Sequence, residues 1–148
     1  MSVAGAVRDS EDPPMTMRLH HVGCAVPAIG PAALLLDRAF GWRSASDVHE
    51  VPSQRVRVAF LTLGGSACVE LVEPTGPDSP VQGILDRSRG GPYHLCYEAE
   101  DLDAEIRRLR ELGFLPVNRF RGPGPGGRRF SFLLDPQGQL VELCGAAP

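Results

Sequence analysis

The sequence runs through the same pattern twice. Residues 19–42, LHHVGCAVPAIGPAALLLDRAFGW, and residues 92–114, PYHLCYEAEDLDAEIRRLRELGF, each pass from a histidine through a short strand pattern and a helix pattern to an apolar-Gly-aromatic close. His21 precedes Gly41 by 20 residues, and His94 precedes Gly113 by 19. Each half then ends on the same tripeptide, Val69-Glu70-Leu71 in the first and Val141-Glu142-Leu143 in the second, 49 and 48 residues after its histidine. With only four histidines in the chain, this coincidence of order and spacing marks one supersecondary unit used twice.

Within each unit the pattern reads strand, helix, then three strands. The first gives a strand over 19–26, a helix over 30–40 and strands near 43–50, 55–63 and 66–73. The second gives a helix over 101–112, with Leu102, Ile106, Leu109 and Leu112 on one face and Asp101 near its start, and strands near 114–119, 128–134 and 139–144. Between them PTGPDSPVQGILDRSRGG (74–91) is a Pro- and Gly-rich linker with one short helical segment near 80–88. The first 18 residues are polar, contain Pro13-Pro14 and lack the apolar core of a secretory signal, so a flexible extension is expected there. The prediction is an α+β fold: one domain over 19–148, built of module one (19–73), the linker and module two (92–148), with paired βαβββ modules forming a curved mixed sheet around a central cavity.

Glu70 sits in the middle of CVELVE (68–73), an apolar strand pattern. An ionised carboxylate buried without a partner is strongly unfavourable, so it needs a cation. Alternation places Cys68, Glu70 and Val72 on one strand face, His94, Cys96 and Glu98 on another, and Glu142 with Leu140 and Cys144. If the modules pair about a pseudo-twofold axis, His21 and Glu70 converge with His94 and Glu142. Two imidazoles and two carboxylates suit one divalent ion, Co, Mn, Ni, Zn or Fe, and ligand type does not choose among these. Cys68, Cys96 and Cys144 share faces with these residues; soft ligands or a nucleophile are the alternatives, and they read as small buried hydrophobes.

Composition narrows the partners. The net charge is −3, and no basic stripe interleaved with aromatics supplies a nucleic-acid groove. No apolar run approaches the roughly 20 residues of a membrane-spanning helix. The four cysteines include no C-x-x-C pair, which fits reduced thiols and a cytoplasmic location. A small-molecule substrate, with neither nucleic acid nor membrane as partner, is the expectation.

These residues carry a family resemblance. From about residue 19 to residue 144 the chain resembles the vicinal oxygen chelate (glyoxalase/bleomycin resistance/dioxygenase) superfamily, and within it the methylmalonyl-CoA epimerases. The matching pieces are LHHVGCAVP, VELVEPTGPDSPVQGIL, GGPYHLCYEAEDLDA and the final VEL. The resemblance implies metal ligands at His21, Glu70, His94 and Glu142, the four that the repeat selects independently, and a homodimer. It also implies proton abstraction next to a carbonyl, on an acyl thioester such as methylmalonyl-CoA, with the metal as Lewis acid. The sequence departs from the epimerase pattern in three places. Glu70 stands where these epimerases often carry Gln, LLDPQGQLVEL replaces a His-Pro-Lys-Asp type turn, and the third-strand catalytic Glu of the bacterial epimerases falls on Val58 of VRVAFLTL.

Val58 cannot accept a proton, so the catalytic base is assigned to a carboxylate of the metal site, Glu142 or Glu70, ahead of Glu50 and Glu73. His49 and Glu50 read as exposed hairpin residues. FRGPGPGGRRF (120–130), with Arg121, Arg128 and Arg129, reads either as a lid contacting an anionic group or as a long solvated hairpin. The function expected is a metal-dependent isomerase, epimerase or lyase. The alternatives are a tailoring isomerase, cyclase or dehydratase acting on a biosynthetic intermediate, and a non-catalytic small-molecule-binding or resistance protein.

Overall fold

The computed structural model describes residues 17–65 and 67–146. Residues 1–16 of the expected extension lie outside these, while Arg18 already opens the first strand and pairs with Glu98 at 2.5 Å. Module one comprises β1 (Arg18–Ala25), α1 (Ile29–Phe40), β2 (Arg43–Ser44), β3 (His49–Val51), β4 (Val56–Leu63) and β5 (Ala67–Pro74). The linker carries α2 (Gln82–Ser88). Module two comprises β6 (Gly91–Ala99), α3 (Leu102–Glu111), β7 (Leu115–Pro123), β8 (Arg129–Leu134) and β9 (Leu140–Gly145). The single strand expected over 43–50 is broken into β2 and β3. There Ser46 Oγ accepts a hydrogen bond from the Phe60 amide (3.0 Å), replacing the backbone carbonyl that a continuous strand would offer.

All the described strands join one mixed sheet in the order β2-β4-β5-β1-β6-β9-β8-β7, with β3 added on β4. β1 runs parallel to β5, β6 runs parallel to β9, and the modules meet where β1 and β6 pair antiparallel. Val22 faces Leu95 at the middle of that junction, flanked by His21 opposite Cys96 and Gly23 opposite His94. Exchanging the modules carries one flanking pair onto the other, so the pseudo-twofold axis passes between Val22 and Leu95.

Strand alternation sorts the side chains onto two faces. On the outer face Leu61 and Leu71 pack with Ile29 of α1, and their counterparts Leu133 and Leu143 pack with Leu102 and Leu109 of α3. The inner face gathers Val56, Val58, Val72, Cys96, Phe130 and Phe132. Each Glu-Leu pair of the repeated tripeptide therefore points its carboxylate inward and its leucine under a helix. Helix α3 begins as expected, with the Asp101 carboxylate accepting from the Ala104 amide at 2.9 Å. Leu112, expected on the buried face, is exposed because the helix ends one residue before it and the chain turns away at Gly113, φ 90°.

Helix α1 is held differently. Its N-cap residue, Ala28, has no capping side chain, and the Ile29 amide instead donates to Glu73 Oε2 at 2.8 Å, while Arg57 pairs with Oε1. Glu73 is thus a capping carboxylate supplied by a strand, and its position three residues after Glu70 puts it on the outer face, away from the cavity. Replacing it with Ala leaves the first turn without an acceptor and should lower unfolding stability by about 1–2 kcal/mol in denaturant titration, with metal binding unchanged.

Candidate metal centre

The inner face brings together the four side chains that the repeat selects. Nε2 of His21 lies 3.2 Å from Glu70 Oε2 and 3.3 Å from Glu142 Oε2. Nε2 of His94 lies 3.6 Å and 3.0 Å from the same two oxygens, and the two Nε2 atoms are 3.2 Å apart. All four residues are buried. Two donors on one ion with bonds of about 2.1 Å stand about 3.0 Å apart at a right angle and about 3.4 Å apart at the tetrahedral angle. The separations and the donor set together fit a single divalent ion.

Ladder geometry places these groups. Glu70 and Glu142 lie next to Gly23 and Cys96 across the parallel pairs β1–β5 and β6–β9. Opposite them on the other side stand Phe60 and Phe132, whose rings meet His21 and His94 edge-on at 5.4 and 5.2 Å. Each histidine also follows a β-bulge: β1 carries His20 as an extra residue between the pairs Leu19–Tyr97 and His21–Cys96, and β6 carries Tyr93 between the pairs to Pro92 and His94. A bulge swings an otherwise outward residue toward the other face. So Nδ1 of His20 reaches Nδ1 of His21 at 2.8 Å, and Tyr93 packs edge-on to His94 at 4.5 Å. The imidazole of His94 fits only because residue 23 is glycine, since a Cβ there would lie 1.9 Å from its Cε1. Its Nδ1 is buried with no hydrogen-bond partner among the described residues.

Burial disfavours charge on His21, yet hydrogen bonds to Glu142 and Glu70 outweigh it and raise its pKa to about 10. Burial likewise works to raise Glu142, and hydrogen bonds from His21 and His94 overcome it, lowering the carboxyl to about 2. Without an ion, a proton on His21 takes the cation's place.

A cavity of about 300 Å³ opens on this cluster, walled by His20, Phe60, Cys68, Arg128 and Cys144 around Glu70 and Glu142. Val58 lies in the inner core at 2% exposure, where no group able to take a proton occupies the position. His49 is half-buried opposite Val58 on β3, and Glu50 is exposed; neither forms part of the cavity wall. Of the cations in the Gly-rich segment, Arg128 pairs with Glu98 and Arg129 with Asp103, and the side chain of Arg121 lies outside the described residues. Sequence reasoning missed His20, Phe60, Phe132 and Gly23 as parts of the site. The doublets His20-His21 and Tyr93-His94, each an aromatic ring before a ligand, were the signal available for the bulges.

The family model described as Glyoxalase/Bleomycin resistance protein/Dioxygenase superfamily matches residues 20–132. The chain is 39% identical over 133 residues to the ethylmalonyl-CoA/methylmalonyl-CoA epimerase of Cereibacter sphaeroides, covering 87% of this chain and 98% of that protein. The crystal structure of methylmalonyl-CoA epimerase from Mycobacterium tuberculosis superposes with a TM-score of 0.80 at 32% identity, covering 88% of each chain. A methylmalonyl-CoA epimerase in complex with methylmalonyl-CoA and NH4+ superposes with a TM-score of 0.79 at 28% identity, covering 88% of this chain and 95% of that one.

Three outcomes are expected. Gly23→Ala drives a methyl group into the His94 ring and should weaken binding of a divalent ion at least about tenfold in calorimetric titration, because the ligand must turn away. In the ion-free protein, His21 sits above its ordinary 6.5, so its stabilising contribution is complete below pH 6.5 and is lost as pH rises through about 10. Glu142 sits below its ordinary 4.5, so its contribution is complete above pH 4.5 and is lost as pH falls toward about 2. Ion-free stability should therefore be greatest between these limits. Ion binding at neutral pH should release about one proton, read as a buffer-dependent binding enthalpy.

Proposed function

This chain belongs to the Glyoxalase/Bleomycin resistance protein/Dioxygenase superfamily, and from that premise we propose that it is a metal-dependent isomerase that removes and returns a proton next to a carbonyl group, with an acyl-CoA thioester such as methylmalonyl-CoA as substrate. The observation that carries this reading is the buried pair of imidazoles and carboxylates opening on a cavity, in a chain whose named relatives are epimerases of that substrate class. His21, Glu70, His94 and Glu142 would hold the ion. When bound, a divalent ion supplies Lewis-acid polarisation of a carbonyl oxygen.

The rest of the chemistry falls to the chain itself. Glu142 is the proposed base, with Glu70 as its counterpart across the pseudo-twofold. Both carboxylates turn Oε2 to the imidazoles, which leaves Oε1 of each as the atom able to hold a substrate proton. Proton transfer by a side chain already fixed at the reacting carbon contributes on the order of 10²–10⁴ in rate. Phe60 and Phe132 hold the imidazoles edge-on and keep water from their flanks.

A second reading, the same centre isomerising or dehydrating a different carbonyl substrate from biosynthetic metabolism, draws support from Val58 at the position where the epimerases carry a carboxylate. A non-catalytic binder is disfavoured by four intact donors. The four cysteines are free thiols, in keeping with a reduced cytoplasmic protein, and a homodimer forms part of the same proposal.

Incubation of the metal-loaded protein with methylmalonyl-CoA in heavy water decides between the substrates. Deuterium should enter at C2, and its absence would rule out the epimerase assignment. Glu142→Gln should lower exchange by a factor of about 10²–10⁴ while the protein stays folded; undiminished exchange would remove Glu142 as the base.

A further inference from the structure

The two halves of the inner face are not alike, and the pseudo-twofold makes the difference readable. Around His94 the neighbouring positions hold Gly23, Val72 and Tyr93. Their counterparts around His21 are Cys96, Cys144 and His20. The duplicate carries glycine, valine and tyrosine at these places, so the two thiols and the imidazole gather in one half only. Cys96 and Cys144 are both buried, on the same face of the parallel strands β6 and β9. His20 reaches them only because the bulge in β1 turns it inward. One ring nitrogen of His20 and the sulfurs of Cys96 and Cys144 all lie within 4.8 Å of one another, and His20 and Cys144 face the cavity, which supplies a path for a small ligand.

We propose that His20, Cys96 and Cys144 form a second metal site beside the His21–Glu70–His94–Glu142 centre, selective for soft, thiophilic ions such as Cd(II), Hg(II) or Cu(I). Sulfur donors favour such ions over the harder ones that suit two carboxylates, so the two sites divide the available metals by chemistry and not by size. Arg128 is the competing cation: its Nη1 stands 3.6 Å from Cys144 Sγ and it also pairs with Glu98, so an ion entering the site displaces the guanidinium toward Glu98. The contact between His20 and His21 links the two centres. His20 meets His21 through Nδ1, and a neutral imidazole carries one proton. If the ion takes Nε2, the nitrogen of His20 that is not turned to His21, that proton stays on Nδ1, donated toward His21, whose own proton would then sit on Nε2, the atom that would otherwise ligate. While that hydrogen bond persists, filling one site weakens the other.

The test is a titration of the full chain, stripped of metal by chelation, with Cd(II), read by the near-ultraviolet absorption of sulfur-to-cadmium charge transfer. The band is expected in the unaltered protein and in Glu142→Gln, which disables the first centre only. Cys144→Val, chosen because Val72 fills the equivalent position, should weaken Cd(II) binding at least about tenfold and abolish the band. Retained Mn(II) binding at the first centre by that variant shows that it is folded; should it fail to fold, Cys144→Ser serves in its place. Absence of the band from the unaltered protein would overturn the proposal. So would its persistence in Cys144→Val, or its loss in Glu142→Gln, which would mean that the thiols only lean on an ion held by the first centre.

Discussion

Two carboxylates and two imidazoles are buried together at the edge of a cavity, and the fold around them is organised to make that arrangement tolerable. In isolation, burial of either glutamate would force protonation or unfolding. Each is placed instead within about a hydrogen bond's reach of two imidazoles contributed by different modules. The antiparallel junction of β1 and β6 is what sets this distance, because its register puts His21 and His94 on either side of the Val22–Leu95 axis. A slip of one residue would turn one histidine to the outer face and leave a carboxylate unpaired.

Much of this was legible in the sequence because duplication supplies its own control. The repeated Val-Glu-Leu predicted two carboxylates converging on one site, and both do so, while the leucine beside each falls on the outer face, Leu71 under α1 and Leu143 under α3. Helix α3 was readable from its stripe and from Asp101. What was not readable depended on contacts between distant parts of the chain. Nothing local distinguishes Glu73 from a solvated strand-end carboxylate, and only the approach of α1 gives it a helix terminus to cap. The break between β2 and β3 depends on the Ser46 hydroxyl meeting the Phe60 amide, 14 residues away. The bulges were hidden for another reason, since a strand pattern read with period two assigns His20 to the outer face and only the opposing strand reveals the extra residue.

The departures from symmetry are as informative as the symmetry. Phe60 and Phe132, Leu61 and Leu133, and Leu71 and Leu143 have kept equivalent jobs, supporting a ligand or packing a helix. Val58 and Phe130, Val72 and Cys144, and Gly23 and Cys96 have diverged; all six lie on the inner face, and Phe130 and Cys144 line the cavity. One flank has become apolar, and the other has gathered sulfur, imidazole and guanidinium.

The division of the four ligands between modules has a mechanical meaning. Neither half of the chain carries more than one imidazole and one carboxylate of the set, so an ion at the centre is a rivet between the halves, seated at the junction where they meet. Its binding energy is added to the cohesion of the β1–β6 seam, at about 2.7 kcal/mol when the ion is present at a hundred times its dissociation constant. Metal supply would then set how firmly the two halves are held together, in addition to whether the site can work.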